Sequence, residues 1–480
     1  MKKKFVTNLA LLLFLNIVIK AFWMYGIDRK VQNIVGSEEY GLYFSLLSLS
    51  ILMNILLDIG ITNFNNREIA RDHDQITINF SYIVPLKLLL SLLYAFFVFL
   101  AGLILGYTTR QFSMLSILVI NQFLLSFILY LRSNISGLHL FRTDALMSVA
   151  DRFFVIIICS VLLWGNLTHS EFKIEWLVYS QTAAYLLAAG IILIIVLNKS
   201  GSVQLKFGFK NGLLILKNSY PFAILILLMS FFNRFDSVLL ERMLEDGKVQ
   251  AGIYAQSYRI LDSVNMFAVL IAGMLLPMFS RMIKQKEPVG EMVKLSYSIV
   301  FVPAITLAAI AWCYNYEIIK LLYKDNIAFS AGVFQILMNG FVFISLSYIF
   351  GTLLTANRSL KQLNTLAAIT VLINLILNLI LIPVLKAKGA AIASLSSQGF
   401  YAIAQIIAAK KVLNLRLDAD YMIRLLLFIV IIFLISFISK TYIDNWGLGF
   451  TMICLASLVF ASFFKILTPR GLYRIIKYDE

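Results

Sequence analysis

Charged residues interrupt the long apolar runs of this sequence, and the chemistry of seven of them is the first feature that needs an explanation. They are Lys20, Asp58, Lys87, Arg234, Asp236, Arg259 and Asp262. An ionised side chain within a hydrocarbon layer is costly, so it usually faces a cavity or an opposite charge. We therefore take these seven residues as the candidate site residues.

The four cations of this set predict a site for an anionic headgroup. Arg234 lies close to the middle of its apolar run, and a guanidinium group donates two parallel hydrogen bonds to a phosphate. We expect Lys20 to contribute a second positive charge, with Arg259 and Lys87 as further candidates. The alternative for the two lysines is that Lys20, near the outer end of its run, and Lys87 extend their ammonium groups to the membrane surface.

The three carboxylates have two interpretations. Arg234 and Asp236 are two residues apart, so they project about 200° apart on a helix and do not pair with each other easily. Arg259 and Asp262 are three apart and share a face. Asp236 or Asp262 could bind a coupling proton or Na⁺, or they could pair structurally, for example Asp236 with Arg259. Asp58 precedes Gly60, which favours a capping or interfacial role.

Enzyme chemistry has no support in the sequence. The three cysteines and three histidines lie far apart and show no metal-ligand spacing, and there is no phosphate-binding glycine loop or nucleophile motif. We expect no catalytic residues, no bound metal and no cofactor. The formal charge of +16 is typical of a membrane protein with basic cytoplasmic loops, so nucleic acid is not an expected partner.

Membrane helices must position these charges. The chain is 60% hydrophobic and 14% charged, whereas soluble proteins are about 45–50% apolar and about 25% charged. Apolar runs of roughly 20 residues recur, and each is long enough to cross the hydrocarbon core. We predict an all-α polytopic protein with fourteen spans: 5–26, 40–62, 79–105, 112–135, 146–165, 175–197, 214–243, 251–280, 292–315, 332–356, 364–385, 388–410, 421–440 and 446–466.

The loop charges predict the orientation. With the N-terminus inside, the inner loops and termini hold 24 lysines and arginines and the outer loops hold 10. Because basic residues collect on the cytoplasmic side, this asymmetry predicts that both termini are cytoplasmic.

An internal repeat predicts two lobes. Gly41 and Tyr43 open the second span, and Gly252 and Tyr254 open the eighth span 211 residues later. Two six-helix copies of equal orientation place a substrate cavity between two lobes. We predict an N-lobe at 1–200, a C-lobe at 201–411, and two extra helices with a cytoplasmic tail at 412–480.

Aromatic residues near the span ends favour an interfacial belt. Trp23 and Tyr25 lie close to Lys20 in sequence. The alternative for these two is stacking on sugar rings.

Four stretches, in order along the chain, resemble Wzx-type polysaccharide flippases, which belong to the larger group that includes lipid II flippases and MATE multidrug exporters. The stretches are Val35–Tyr43; Leu57–Gly60 with Asn66–Ala70; Arg234–Asp236 with Ala251–Ala255; and Lys388–Ser394. The resemblance implies two six-helix lobes in a V, with two extra helices, in a bacterial inner membrane. The lipid II branch typically has several arginines in its first helix, whereas this first span has only Lys20.

The resemblance implies transport of an undecaprenyl-diphosphate-linked oligosaccharide repeat unit, with H⁺ or Na⁺ as candidate coupling ions. Cavity cations of such flippases are thought to hold the pyrophosphate-sugar headgroup, which places Arg234 and then Lys20 in that role. Expected partners are the lipid-linked substrate, membrane lipids, and the polysaccharide polymerase and chain-length machinery, with a monomer as the working unit. The alternatives are a MATE-like ion-coupled exporter and a membrane-bound polymerase or ligase.

Overall fold

The computed structural model describes residues 14–165, 172–200, 206, 227–415 and 418–467, and the regular elements within these ranges are all helical. This confirms the prediction of an all-α membrane protein. Helices satisfy every backbone hydrogen-bonding group within one segment, as a lipid environment requires.

Two compact units divide the chain, Met1–Gly252 and Ile253–Glu480. The boundary falls inside one continuous helix, close to its start. The predicted lobe limits at residues 200 and 411 stay a prediction.

The first unit begins with α1 (Phe14–Leu52), which includes a π-helical segment at Phe22–Asp28. The following helices are α2 (Ile61–Arg71), α3 (Gln75–Ile104), α4 (Thr109–Gly137), α5 (Phe141–Met147), α6 (Ala150–Trp164), α7 (Ile174–Ser200) and α8 (227–243). Helix α9 (Gly247–Lys284) begins in this unit and continues into the second.

The second unit contains the rest of α9 and six more helices. These are α10 (Gly290–Leu322), α11 (Ile327–Ala356), α12 (Leu360–Leu385), α13 (Ala387–Leu413), α14 (Ala419–Tyr442) and α15 (Trp446–Phe463).

Among the described residues, eleven helical segments are long and apolar enough to cross a membrane, or twelve if one bent pair counts as a span. The eleven correspond to predicted spans three to six and eight to fourteen. The bent pair, Phe14–Leu52 with Asn54–Arg71, contains the described parts of the first two spans. Much of the predicted seventh span, 214–226, lies outside the described residues. Fourteen spans therefore remain an approximate count.

The first span is longer than we predicted. Helix α1 does not end at residue 26 but continues to a bend at Gly36, whose φ of 79° is accessible mainly to glycine. Lys20 lies sixteen residues before this bend, about 24 Å along a helix at 1.5 Å per residue. The expectation that Lys20 sits near the outer end of its helix is therefore wrong.

A break divides the second span. After α1 ends at Leu52, a 3₁₀ turn covers Asn54–Leu57, and Ile59 and Gly60 both have positive φ angles before α2 begins. The two parts differ in direction by 50°. Such a break leaves backbone carbonyl groups without helical partners, and buried partners must be found for them.

Candidate functional site

A group of cations lies inside the first unit. Lys20 of α1 is half-buried and interacts electrostatically with Arg152 and Asp151 of α6 and with Arg132 of α4. Three helices therefore bring three positive charges to one region, at the end of the unit where α4 ends and α6 begins.

Aromatic residues surround the Arg152 guanidinium group. Its Cζ atom lies 5.7 Å from the centre of the Trp23 ring, and Nη1 donates a hydrogen bond of 3.2 Å to the Tyr185 hydroxyl. Its Nε atom lies 3.6 Å from the Asp151 carboxylate. Trp23 is buried, so it belongs to this group and not to a lipid-facing belt, whereas Tyr25 is exposed.

Arg132 is held differently. Its Nε atom donates to the Asp144 carboxylate at 2.8 Å, which compensates much of its charge. Sequence reasoning missed Arg152 and Asp151 as site residues and counted Arg132 only as a loop cation. The available signal was the same as for Lys20, because Arg152 is a charge inside the predicted span 146–165.

Lys87 lies in a closed polar contact beside the break in the second span. It is 2% exposed, and its ammonium group donates to the Leu57 carbonyl at 3.1 Å, to Asp58 at 2.9 Å and to the Ser126 hydroxyl at 2.9 Å. Each of its three N–H groups thus has an acceptor. Lys87 therefore does not extend to the membrane surface.

Asp58 joins this contact to the start of α2. Its carboxylate accepts hydrogen bonds from the backbone N–H of Thr62 at 3.3 Å and from the Thr62 hydroxyl at 2.5 Å. A carboxylate at a helix N-terminus is stabilised by the free N–H groups there. The capping role that the sequence suggested for Asp58 is present.

Asp28 is a buried carboxylate that the sequence analysis placed in a loop. It is 2% exposed, and the Tyr40 hydroxyl donates to its carboxylate, with the hydroxyl oxygen 3.0 and 2.9 Å from the two carboxylate oxygens. Gln32, one turn further along α1, is buried too. Asp28 is the last residue of the π-helical segment at Phe22–Asp28, and such segments are frequent at functional sites.

The remaining predicted site residues lie on α8 and α9. Arg234 is half-buried and Asp236 is buried on α8, where the Arg234 carbonyl accepts from the Ser237 hydroxyl at 3.0 Å. On α9, Arg259 and Asp262 are half-buried, and Asp262 lies near the Tyr348 phenol of α11. The pairing of Asp236 with Arg259 and a shared site for Arg234 and Lys20 both stay predictions.

Metal-ligating side chains do not cluster in the described part of the chain. Cys159, Cys313 and Cys454 are free thiols that lie on separate helices. The arrangement that remains is a set of half-buried cations with aromatic neighbours, which suits binding of an anion and offers no activated nucleophile.

A family model for polysaccharide biosynthesis proteins matches residues 10–283. The chain belongs to the polysaccharide biosynthesis protein family. This match covers more than half of the sequence and includes α1, with Lys20 and Asp28, and α6, with Arg152. No curated protein matches the chain.

Solved structures show which fold this family member has. It is similar to the lipid II flippase MurJ in an inward closed conformation, with a TM-score of 0.72 and 14% identity over 95% of this chain and 98% of that one. It is also similar to an inward-facing multidrug resistance MATE transporter, with a TM-score of 0.59 and 14% identity over 82% and 94% of the two chains. A transporter of the same superfamily from Pyrococcus furiosus aligns with a TM-score of 0.57 and 14% identity over 86% and 96%.

This family member is thus a multi-pass membrane protein whose fold is similar to that of flippases and multidrug transporters. At 14% identity these likenesses show the fold alone. The solved structures of this fold described above are transporters, and no enzyme is among them.

Proposed function

We propose that this protein is a flippase that moves an undecaprenyl-diphosphate-linked oligosaccharide repeat unit from the cytoplasmic to the periplasmic leaflet of a bacterial inner membrane. The observation that carries the proposal is the cation group of Lys20 and Arg152 with Trp23 and Tyr185 beside it. The family match, to polysaccharide biosynthesis proteins, supports the glycan part of the substrate.

A diphosphate-sugar headgroup fits the chemistry of this group. Lys20 offers a compact ammonium group, and the planar guanidinium of Arg152 offers paired N–H donors. Trp23 and Tyr185 are buried beside these donors, and their contacts hold the Arg152 guanidinium group in position. Asp151 and Asp144 balance part of the positive charge when no anion is present, which limits the cost of keeping the cations within the membrane.

Arg234 and Arg259 are proposed as further headgroup ligands on α8 and α9, whereas Lys87 has a structural role because its amine is fully engaged. Asp236 and Asp262 are proposed as candidates for binding a coupling H⁺ or Na⁺. We propose a working monomer that delivers its product to a polysaccharide polymerase with its chain-length machinery.

Ion-coupled export of small cations is the second candidate function. Asp28, a buried carboxylate in the first unit, favours it, because a cationic substrate or a coupling ion needs an acidic partner. A transport assay in proteoliposomes separates the two candidate functions, because the flippase carries an anionic lipid-linked cargo and the exporter carries a small cation.

Headgroup translocation in proteoliposomes tests the proposal. A polyprenyl-diphosphate oligosaccharide is placed in one leaflet, and flipping is compared among wild type, Lys20→Ala, Arg152→Ala and the control Lys284→Ala. Lys284 is an exposed cation at the end of α9, so its loss should change little. Removing a charged hydrogen bond costs about 1.5–3 kcal/mol, so each site variant should lose about 10- to 100-fold in flipping rate.

Equal rates for all four proteins would remove Lys20 and Arg152 from the headgroup site. An absence of flipping by the wild type, combined with proton- or sodium-driven uptake of a cationic dye, would replace the flippase by the exporter.

A further inference from the structure

A shell of oxygen atoms surrounds the ammonium group of Lys87, beside the break in the second span. The nitrogen lies 2.9 Å from the Asp58 carboxylate, 3.1 Å from the Leu57 carbonyl, and 2.9 and 3.5 Å from the hydroxyl and carbonyl of Ser126. The centre of the Tyr130 ring is 5.7 Å away. Two backbone carbonyls, one hydroxyl and one carboxylate therefore converge on a single positive charge.

The break supplies oxygen atoms that an unbroken helix would use for its own hydrogen bonds. The 3₁₀ turn at Asn54–Leu57 is followed by positive φ angles, 45° at Ile59 and 82° at Gly60. A β-branched residue such as Ile59 rarely has a positive φ, and backbone strain of this kind is common where a ligand is held. In transporters with discontinuous membrane helices, unwound backbone carbonyls coordinate Na⁺. The backbone beside Lys87 is therefore of the type that binds a small cation.

The charge of the shell suits a monovalent cation. Asp58 is its one carboxylate, and the backbone N–H and hydroxyl of Thr62 hold that group in place at the start of α2. One ammonium group balances this charge, whereas a divalent ion would add a second, uncompensated charge inside the membrane. Since K⁺ and NH₄⁺ are similar in size, both should fit a shell built around an ammonium group better than the smaller Na⁺.

We propose that this shell is a binding site for a monovalent cation, which Lys87 fills with an ammonium group attached to the chain. The lysine takes the place of a free K⁺ or NH₄⁺ ion, so the broken span keeps its charge balance in any salt. Asp58 is thereby withdrawn from the carboxylates that could bind a coupling ion. The inference goes beyond the proposed function and does not depend on it.

Shortening the lysine side chain should make the shell available to a free ion. The Lys87 side chain is 2% exposed, but that of Asp58 is 28% exposed, which gives an ion a way in. Lys87→Ala and Lys87→Val end well before the position of the ammonium group and leave it open, and valine also refills part of the space of the lysine stem. Lys87→Met is the matched control, because it loses the same charge but its terminal methyl group lies too close to that position to admit an ion.

Thermal unfolding in detergent tests the site without any substrate. Midpoints are compared in potassium, ammonium, sodium and choline chloride at equal ionic strength. In choline, Lys87→Ala and Lys87→Val should unfold at lower temperature than the wild type, and K⁺ or NH₄⁺ should restore most of the loss, with Na⁺ less effective. The midpoint should rise with the logarithm of the ion concentration, as binding to the folded state requires. Wild type, Lys87→Met and the double variant Lys87→Ala/Asp58→Asn should show no such recovery.

Rubidium binding measures the occupied site directly. Radioactive Rb⁺, which resembles K⁺ in size, should bind to Lys87→Ala in excess of its binding to the wild type, and K⁺ or NH₄⁺ should displace it. Equal Rb⁺ binding by the two proteins, or midpoints of both shortened variants that are the same in all four salts, would overturn the proposal. Failure of both shortened variants to fold in every salt would also overturn it, because the free ion would then not replace the tethered one. Neither readout uses the lipid-linked oligosaccharide, so a failure of the proposed function is seen separately, in the flipping assay.

Discussion

Lys87 illustrates at the scale of one residue why a charge can be stable inside this unit. The break in the second span frees the Leu57 carbonyl, and the ammonium group of Lys87 binds it together with Asp58 and Ser126. Breaking a buried pair by removing one partner leaves an uncompensated charge, which costs far more than the pair contributes when intact.

We predict that Lys87→Met destabilises the protein, because it leaves the Asp58 carboxylate and the Leu57 carbonyl without their donor. The loss should be about 3 kcal/mol, the lower end for a buried pair, since the Asp58 side chain is 28% exposed. Equilibrium unfolding in mixed micelles measures it, with Lys284→Met as the exposed control. Adding Asp58→Asn should restore part of the loss, and strictly additive single losses would mean that the two residues do not act as a pair.

Sequence reasoning found Lys20, Asp58 and Lys87 as charges within spans but could not assign their partners. The Leu57 carbonyl becomes an acceptor only because the helix breaks there, and hydropathy does not mark a break within an apolar run. Arg152 was missed although it stands inside the predicted span 146–165, as Lys20 and Lys87 stand inside theirs.

Helices α14 and α15 show at the scale of elements how the second unit is held together. Both pack on α10 through an apolar cluster that includes Phe301, Phe428 and Ile453. Hydroxyl pairs add three polar contacts along this interface: Ser298 with Tyr421 at 2.6 Å, Thr306 with Ser457 at 2.5 Å and Tyr314 with Ser439 at 2.8 Å.

Ion pairs close the same interface at both ends, Lys294 with Asp418 and Lys440 with Glu317. The hydrogen bond from Lys294 holds the pKa of the Asp418 carboxyl below its usual range. Polar contacts between membrane helices average about 0.6 kcal/mol, so their main contribution here is to fix the register of the helices.

We predict that Gly449→Ala loosens α15 from this interface. The added Cβ would overlap the Tyr314 hydroxyl and lie 2.6 Å from the Ser439 hydroxyl, so it must separate the pair. Overpacking of this kind costs about 1–3 kcal/mol, measured as a lower thermal midpoint in detergent. In a Tyr314→Phe background, Gly449→Ala should lower the thermal midpoint less, because the hydroxyl group that overlaps the added Cβ is absent. Gly273→Ala serves as the control, and an equal midpoint for both alanine variants would contradict the prediction.

The sequence predicted where the apolar helices lie along the chain better than it predicted the residues at which they end. Asp28, Arg29 and Lys30 look like a loop, yet α1 continues through them because Tyr40 binds Asp28 in the interior. This contact joins residues on either side of the bend at Gly36, so it forms only when that bend is in place. The local sequence pattern does not distinguish a buried charge that has a distant partner from an exposed charge in a loop.

The fold of the whole molecule determines what its net charge means. With the predicted orientation, most of the basic residues behind the formal charge of +16 lie in loops on the cytoplasmic side of the membrane. By this prediction the inner loops and termini hold 24 lysines and arginines and the outer loops hold 10. The proposed direction of transport, from the cytoplasmic to the periplasmic leaflet, depends on this predicted orientation.

We predict that loops alternate in their accessibility to a membrane-impermeant maleimide added to intact cells. Single cysteines in a cysteine-free background should react from outside at Lys173, Lys324 and Asp444, and should stay unlabelled until lysis at His73, Lys286 and Arg358; all six positions are exposed. The physical reason is that lysine- and arginine-rich loops are retained in the cytoplasm. Labelling at His73, Lys286 and Arg358 in intact cells, without labelling at the other three positions, would mean that the orientation is opposite to the predicted one. The cation group of Lys20 and Arg152 would then lie towards the periplasmic side. A mixed pattern would instead mean that the number of spans between two of these loops differs in parity from the predicted number. If His73 and Lys286, which are six predicted spans apart, differed in labelling, the repeat of six helices would have to be abandoned.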